Sequence, residues 1–156
     1  MQSVKGKIAW VTGAGTGIGR AGAVALGAAG ATVILSGRRV PELEAAAKRI
    51  NDAGGAAIVE QLDIADGDAV DAVVGRITEK YGRLDILVNS AGLNRPNRRW
   101  KTMEREDWDI VIDVNLSGAF NCSLAALRVM RPQHDGLIIN VSSMAGRRVG
   151  TVSGFA

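Results

Sequence analysis

The sequence is poor in the residues that build disulfides and metal sites. Its 156 residues include one cysteine, Cys122, and one histidine, His134. One cysteine excludes a disulfide within this sequence and any site built from several thiolates, and one histidine leaves no cluster of the kind that holds zinc or non-haem iron. We therefore expect no metal centre. A single thiol also fits a reducing compartment, so we expect a cytoplasmic protein.

Long apolar runs and a large charge excess are absent as well. The apolar run at residues 8–11 is too short for a signal peptide, and nothing approaches the roughly 20 apolar residues of a membrane span. The net charge of +3 is too small to imply a nucleic-acid partner. With 47% hydrophobic and 22% charged residues, the composition predicts one globular domain with no membrane and no nucleic-acid partner.

Short β-type runs alternate with helical periods along the chain. We predict strands at residues 7–12, 32–35, 56–61, 84–89 and 137–141, with helices that begin near Pro41 and after Asp66 and a long apolar helix at 108–130. The first helix ends at Gly30, and its periodicity predicts an apolar face made of Ile18, Ala21, Gly22, Ala25, Leu26 and Ala29. Buried strands joined by helical crossovers predict an α/β fold with a doubly wound, Rossmann-like parallel sheet.

A glycine-rich loop joins the first strand to the first helix, and residues 12–19 read TGAGTGIG. Glycines allow backbone N–H groups to approach a pyrophosphate, which also meets the positive end of the helix dipole. A tight turn without a ligand is the alternative, but the strand before the loop and the helix after it favour phosphate binding. The predicted cofactor contacts in this loop are Gly13, Gly15, Thr16, Gly17, Ile18 and Gly19.

Four further segments follow the glycine loop in order. Asp63 comes after the third strand, Asn-Ser-Ala-Gly at 89–92 ends the fourth, Asn115 lies in the long helix, and Ser143 lies in a segment at 140–146 after the fifth strand. Together these motifs resemble the short-chain dehydrogenase/reductase family, in its single-domain branch, over the whole chain. One departure is Ser90, which stands where that family carries a second asparagine.

The resemblance implies roles for the matched residues. Those implied to bind a nicotinamide dinucleotide are Asp63, with Ile64 beside it, at the adenine, and Asn89, Ala91 and Gly92 after the fourth strand. Asn115 and Ser143 are implied to be catalytic. The residues alone leave plainer alternatives, because an asparagine at position 89 often satisfies neighbouring backbone groups and the serines at 142 and 143 suit a capped turn.

The end of the second strand bears on the choice of cofactor. NAD enzymes usually place an acidic residue there for the ribose diol, whereas NADP enzymes offer a cation to the 2′-phosphate. By the family alignment Gly37 takes the acidic position and Arg38 follows it. We therefore predict NADP(H), with NAD(H) as the alternative. Two points weigh against this: Arg38 and Arg39 would also suit a solvated surface, and Thr16 stands where some NADP-binding members carry a second cation.

The family's chemistry also needs a Tyr-x-x-x-Lys helix after the serine. The sequence ends 13 residues after Ser143, and its one tyrosine is Tyr81, in the third predicted helix. We interpret residues 1–156 as a dinucleotide-binding domain whose C-terminal portion is missing after the fifth strand. The resemblance implies an oxidoreductase that moves hydride between NADP(H) and a small alcohol or ketone, and we expect this fragment to be inactive. A non-catalytic dinucleotide-binding sensor or scaffold is the alternative.

Two surface features complete the sequence-based expectations. The long helix carries apolar residues on every side, and the resemblance implies a dimer or tetramer of the full-length protein, so we expect this helix in a subunit interface. A basic stretch at 95–105 lies beside two tryptophans, Trp100 and Trp108, and acidic residues at 104, 106 and 107 interleave with it. This pattern favours a solvated loop rim with a tryptophan packed beneath it over a phosphate track.

Overall fold

Five parallel strands form the centre of the computed structural model, which describes residues 3–96 and 99–143. The strands are β1 (Ile8–Thr12), β2 (Thr32–Gly37), β3 (Ala56–Gln61), β4 (Ile86–Asn89) and β5 (Leu137–Asn140). They pair in the order β3-β2-β1-β4-β5, and every pairing is parallel. The order reverses between β1 and β4, which confirms the predicted doubly wound α/β sheet.

Helices cover both faces of the sheet. They are α1 (Gly17–Ala28), α2 (Val40–Asp52), α3 (Gly67–Tyr81), α4 (Arg105–Ile112) and α5 (Ala119–Gln133). Successive residues of β1 point to opposite faces, so Val11 packs with Leu43 of α2, while Trp10 packs with Val70 of α3 and Cys122 of α5. The two cores explain why the central strands are apolar along their whole length.

The two predicted helix starts, near Pro41 and after Asp66, are confirmed. Pro41 lies in the first turn of α2. Asp66 caps α3, because its side chain accepts a hydrogen bond of 3.0 Å from the N–H of Ala69. Gly82 ends α3 in the left-handed conformation, with φ of +72°. The third helix is therefore specified locally at both ends.

The buried face of α1 differs from the predicted one. Ile18 is 68% exposed, and the residues that face the core are Gly19, Ala23 and Gly27. A Cβ at position 27 would lie 2.5 Å from Ile50 Cγ2, so α1 approaches α2 too closely for any side chain there. Of the predicted face, Leu26 does pack partly against the core. Hydrophobic periodicity missed the rest of the buried face because glycine and alanine give little hydrophobic signal while allowing the closest helix packing.

The long helix predicted at 108–130 starts earlier and is not uniform. A π-helical turn, Asp113–Gly118, joins α4 to α5, and the combined helix runs from Arg105 to Gln133. By length and composition this helix could cross a membrane, contrary to the expectation from sequence, but core helices of soluble proteins share that property. Its buried residues, Cys122, Ala125, Ala126 and Met130 among them, pack on the sheet.

The amino ends of β1 and β4 are tied together by one carboxylate. Asp85 is almost fully buried, accepts a 2.8 Å hydrogen bond from the N–H of Ile8, and pairs with Lys7 and Arg83. Its own N–H donates to the carbonyl of Ile8 at 2.9 Å. This network lies at the edge of the sheet opposite the carboxyl ends of the strands, where ligands bind in such folds.

Candidate functional site

A cavity of about 460 Å³ opens at the carboxyl ends of the strands, beside the switch point between β1 and β4. Of the predicted cofactor contacts, those that line it are Gly13, Gly15, Thr16, Gly17, Ile18, Gly19, Arg38, Asp63, Ile64, Ala91 and Gly92. The predicted residues that do not line it are Asn89, Asn115 and Ser143. The fold therefore brings together four separate segments of the sequence at one site.

The glycine loop forms one wall of this cavity. Gly17 begins α1 with φ of +56°, and a Cβ built there would meet no protein atom within 4 Å, so the backbone at this turn is open to a ligand. The first turn of α1 contains no acidic residue, and the positive end of a helix dipole favours an anion. This wall fits the pyrophosphate of a dinucleotide.

The floor beneath the loop is closely packed. Gly13 has φ of +65°, and a Cβ there would lie 2.7 Å from the Cα of Ala91, in the segment after β4. Thr12 is buried, and its hydroxyl oxygen accepts hydrogen bonds of 3.2 Å from the N–H groups of Ser90 and Ala91. The glycine loop and the segment after β4 are therefore held as one rigid surface.

The end of β2 brings two guanidinium groups to the cavity. Arg38 Nη1 lies 3.9 Å from Asp63 Oδ2, whereas Arg39 Nη1 lies 3.1 Å from Glu42 Oε1. Both arginine side chains are largely exposed, as expected for groups that meet a ligand from solvent. Gly37, which the family resemblance places at the acidic position of NAD enzymes, also lines the cavity and brings no carboxylate to it.

Asp63 and Ile64 form the wall on the β3 side. Asp63 Oδ1 accepts a 3.1 Å hydrogen bond from the N–H of Ala65, and the carboxylate is exposed at the cavity. Ile64 is buried, and its side chain packs so closely on Gly118 that a Cβ there would lie 2.6 Å from Ile64 Cγ1. Ile64 therefore joins the cavity wall to the π-helical turn.

Asn89 lies beneath the site rather than in its wall. Its Nδ2 donates to Ser123 Oγ at 3.0 Å and to Asn140 Oδ1 at 2.9 Å, which links β4 to α5 and β5. Its Oδ1 is buried without a hydrogen-bond partner in the described part of the chain. The contacts agree with the structural alternative for this residue.

Asn115 uses both polar atoms of its side chain on one backbone residue. Its Oδ1 accepts from the N–H of Leu93 at 2.8 Å, and its Nδ2 donates to the carbonyl of Leu93 at 2.9 Å. Its amide also touches Gly92, since a Cβ at position 92 would lie 3.3 Å from Asn115 Oδ1. Asn115 therefore fixes the segment after β4 against the π-helical turn.

Ser143 is exposed, three residues beyond the end of β5. Val141, two residues before it, lines the cavity, and its N–H donates to the carbonyl of Asn89 at 2.9 Å. Residues 144–146 of the predicted motif lie outside the described residues. Ser143 therefore lies at the edge of the sheet formed by the carboxyl ends of the strands.

The remaining singled-out residues lie away from this chemistry. Burial raises the pKa of the Cys122 thiol to about 12, so this cysteine is an inert core residue. His134 ends α5 on the surface in a left-handed conformation, with φ of +53°. In the basic stretch Arg95 pairs with Asp107 at 2.7 Å, and Arg98 lies outside the described residues. Trp100 is 73% exposed and Trp108 is 39% exposed, so neither is fully packed beneath the rim.

The sequence analysis missed some residues of the cavity wall. Arg39 was considered only as a surface residue, although its position next to Arg38 was a usable signal. Others are Glu42, Leu43, Leu62, Val114 and Val141, and only Val141 lies within a motif named above, the segment at 140–146. Their place in the wall depends on how the helices lie on the sheet, which periodicity does not specify.

A family model described as short chain dehydrogenase matches residues 7–154, and the chain belongs to this family. The short-chain reductase protein NovJ of Streptomyces niveus is 47% identical over 140 residues, which are 90% of this chain and 53% of that protein. The chain spans about half the length of the curated relatives it matches.

Solved structures of the family share the fold. A metagenomic short-chain oxidoreductase in complex with NADP has a TM-score of 0.91 and 38% identity, and the match covers 99% of this chain and 69% of that one. A xylitol dehydrogenase described as bound to NAD⁺ also has a TM-score of 0.91, with 31% identity, over 96% of this chain and 57% of that one. Both cofactors therefore occur on this fold, and the residues at the end of β2 must decide between them.

Proposed function

We propose that the protein is an oxidoreductase that moves hydride between NADP(H) and a small alcohol or ketone. The observation that carries the choice of NADP(H) lies at the end of β2, where Gly37 replaces an acidic residue and Arg38 faces the same cavity as the glycine loop. A guanidinium next to the ribose suits a 2′-phosphate, whereas a carboxylate would repel it.

In this proposal each part of the cofactor contacts a different group of cavity residues. The glycine loop and the start of α1 hold the pyrophosphate, Asp63 and Ile64 border the adenine, and Ala91 and Gly92 border the nicotinamide half. Asn89 contributes indirectly, because its bonds to Ser123 and Asn140 fix the ends of β4 and β5. A bound nicotinamide supplies or accepts the hydride, and the protein holds the reacting groups in place.

Ser143 and Asn115 have different roles in this proposal. Ser143 donates a hydrogen bond to the substrate oxygen, on which negative charge develops when a ketone is reduced. Asn115 is a positioning residue, since both atoms of its amide already bind Leu93. Neither residue is a good acid near neutral pH.

Residues 1–156 alone bind the cofactor in this proposal but do not turn over substrate. Their one tyrosine, Tyr81, ends α3 and lines a different cavity with Ile58 and Ile77. The described part of the site therefore contains no tyrosine that could act as the proton donor, and general acid catalysis typically supplies 10²–10⁴-fold. The position of Tyr81 also favours the second candidate, a dinucleotide-binding module without catalysis.

We also propose where the protein acts and which partners it has. We place it in the cytoplasm, with a small-molecule substrate and without a membrane or nucleic-acid partner. A homodimer or homotetramer would cover the apolar residues that α5 and the π-helical turn expose, chiefly Leu116 and Phe120.

Titration with NADPH and NADH tests the cofactor proposal. The unmodified protein should bind NADPH more tightly, and Arg38→Ala should remove most of the preference. A charge-assisted hydrogen bond is worth about 1.5–3 kcal/mol, which corresponds to tenfold discrimination or more. Equal affinities of the unmodified protein for the two cofactors would contradict the proposal.

A further inference from the structure

We infer that Arg39 is a second cation for the 2′-phosphate and that Glu42 holds it in position; this inference rests on the NADP(H) function proposed above. Arg38 was assigned to the phosphate from its place after Gly37. Arg39 has no such assignment, but its side chain lies in the wall of the same cavity.

Consecutive arginines reach two different walls of the cavity. Arg38 extends toward the β3 side, where its Nη1 lies 3.9 Å from Asp63 Oδ2. Arg39 extends toward the glycine loop, where its Nη2 donates to Thr16 Oγ1 at 3.4 Å. The mouth of the cavity at the end of β2 is therefore flanked by two guanidinium groups, each of which lies next to a carboxylate of the same cavity wall, Asp63 or Glu42.

The contact between Arg39 and Thr16 matters because Thr16 belongs to the glycine loop. The glycine loop has a neutral hydroxyl at position 16, where the family resemblance implies that some NADP-binding members carry a cation. The contact with Arg39 brings a guanidinium from the N-cap of α2 to that same place. The chain thus supplies from α2 the charge that its glycine loop lacks.

Glu42 restrains the side chain of Arg39 but leaves most of its N–H groups able to donate to a ligand. Its Oε1 lies 3.1 Å from Arg39 Nη1, one helical turn away on α2. A guanidinium carries five N–H donors in a planar fork, so Arg39 can keep Glu42 and Thr16 and still donate to a phosphate. An exposed arginine without this anchor would lose more rotamer freedom on binding the ligand.

The test compares two nucleotides that differ only in the 2′-phosphate. Adenosine 2′,5′-bisphosphate and adenosine 5′-monophosphate are titrated by calorimetry against the unmodified protein, Arg39→Ala, Arg38→Ala and Arg49→Ala. Arg49 is the matched control, because it is an exposed arginine of the same helix that does not line the cavity. Arg39 makes no capping bond with its side chain, so its replacement should leave the fold intact, as circular dichroism would verify.

The expected result is a loss of about tenfold in the ratio of the two affinities for Arg39→Ala and no change for Arg49→Ala. If Arg39→Ala behaves like Arg49→Ala while Arg38→Ala loses the preference, the inference about Arg39 is wrong and the NADP(H) proposal stands. If the unmodified protein does not prefer the bisphosphate, the NADP(H) proposal itself fails.

Glu42→Gln tests the positioning role. It should lower the affinity ratio about threefold in the unmodified background and have no effect once Arg39 is alanine, since Glu42 acts through Arg39. A rise in the ratio would show that Glu42 competes with the phosphate, and an equal effect in both backgrounds would show that it acts independently of Arg39. Either outcome would overturn its assignment as a positioning residue.

Discussion

Asp85 illustrates how a single buried side chain joins two strands. Burial raises the pKa of its carboxyl, but hydrogen bonds from Arg83, from the N–H of Ile8 and from Lys7 outweigh burial, so the pKa lies below its usual value. A carboxyl with a lowered pKa stabilises the folded state fully above its unfolded pKa of about 3.9. The stabilisation is lost as the pH falls through the lower folded value.

Asp85→Asn should therefore destabilise the protein at neutral pH, by on the order of 2 kcal/mol, because charged hydrogen bonds to Ile8, Lys7 and Arg83 are weakened. The difference from the unmodified protein should shrink as the pH falls below about 4. Urea unfolding at a series of pH values measures both effects. Asp52→Asn, which removes an exposed ion pair with Lys48, is the control and should change stability by a few tenths of a kcal/mol. Equal effects of the two substitutions at neutral pH would show that Asp85 does not stabilise the contact between β1 and β4.

Some side-chain contacts could be predicted from the sequence, and others could not. Asp66 was expected to cap α3 and does, because the cap depends on neighbours in sequence. The link from Arg39 to Thr16 was not foreseen, because it spans 23 residues and depends on which way an exposed side chain turns after the fold has formed.

At the scale of elements, α1 packs closely on α2 because a glycine of α1 has no side chain at the point of contact. Gly27 of α1 meets the buried Ile50 of α2, where a Cβ would lie 2.5 Å from Cγ2. Gly22, on the same helix, has nothing within 4 Å of its Cβ position. The two glycines thus differ in their surroundings while sharing helical backbone.

Gly27→Ala and Gly22→Ala should therefore change stability in opposite directions. Overpacking against Ile50 should cost about 1–3 kcal/mol at position 27. Alanine at position 22 should gain roughly 0.5–1 kcal/mol, because it removes the entropic cost of glycine in a helix. Thermal unfolding of both variants makes the comparison, and a stabilised Gly27→Ala variant would show that α1 and α2 do not pack this closely.

The long helix has a second apolar face beside the one that packs on the sheet. Leu116, Phe120 and Leu124 recur every four residues, and the first two are 63% and 62% exposed. Val111 and Met130 of the same helix are buried in the core, so apolar residues lie on both its buried and its exposed sides. The exposed stripe is what a partner subunit would cover.

We predict that the full-length protein self-associates through this stripe. Solution scattering should give a dimer or tetramer, and Phe120→Glu should shift the protein toward the monomer, whereas Arg131→Glu, an exposed change near the end of α5, should not. A full-length protein that remains monomeric over a wide range of concentrations would argue against a subunit interface here.

Periodicity predicted which elements exist better than it predicted their details. All five strands and the helices between them were expected, since buried parallel strands and amphipathic helices leave strong patterns. The π-helical turn Asp113–Gly118 was not expected, because it reflects how the helix fits over Ile64 and the segment after β4. Such fits depend on tertiary packing rather than on local sequence.

At the scale of the whole molecule, we assign cofactor binding to residues 1–156 and expect catalysis to need residues beyond them. The described residues line one cavity beside the glycine loop, where we propose that the dinucleotide binds, whereas the one tyrosine of the sequence, Tyr81, lies in α3 and lines a different cavity. We predict that residues 1–156 show no more than a trace of the NADPH oxidation with small ketones that a chain extended to the length of its relatives shows. A rate for residues 1–156 within about tenfold of the extended chain would place the chemistry on other residues than those proposed.

The most direct measurement of the central claim is a crystal structure of the protein with NADP⁺. The account predicts the pyrophosphate against residues 13–19 at the start of α1, the adenine beside Asp63, and the 2′-phosphate between the guanidinium groups of Arg38 and Arg39. Nucleotide bound elsewhere on the protein, or a 2′-phosphate that points into solvent away from both arginines, would contradict it.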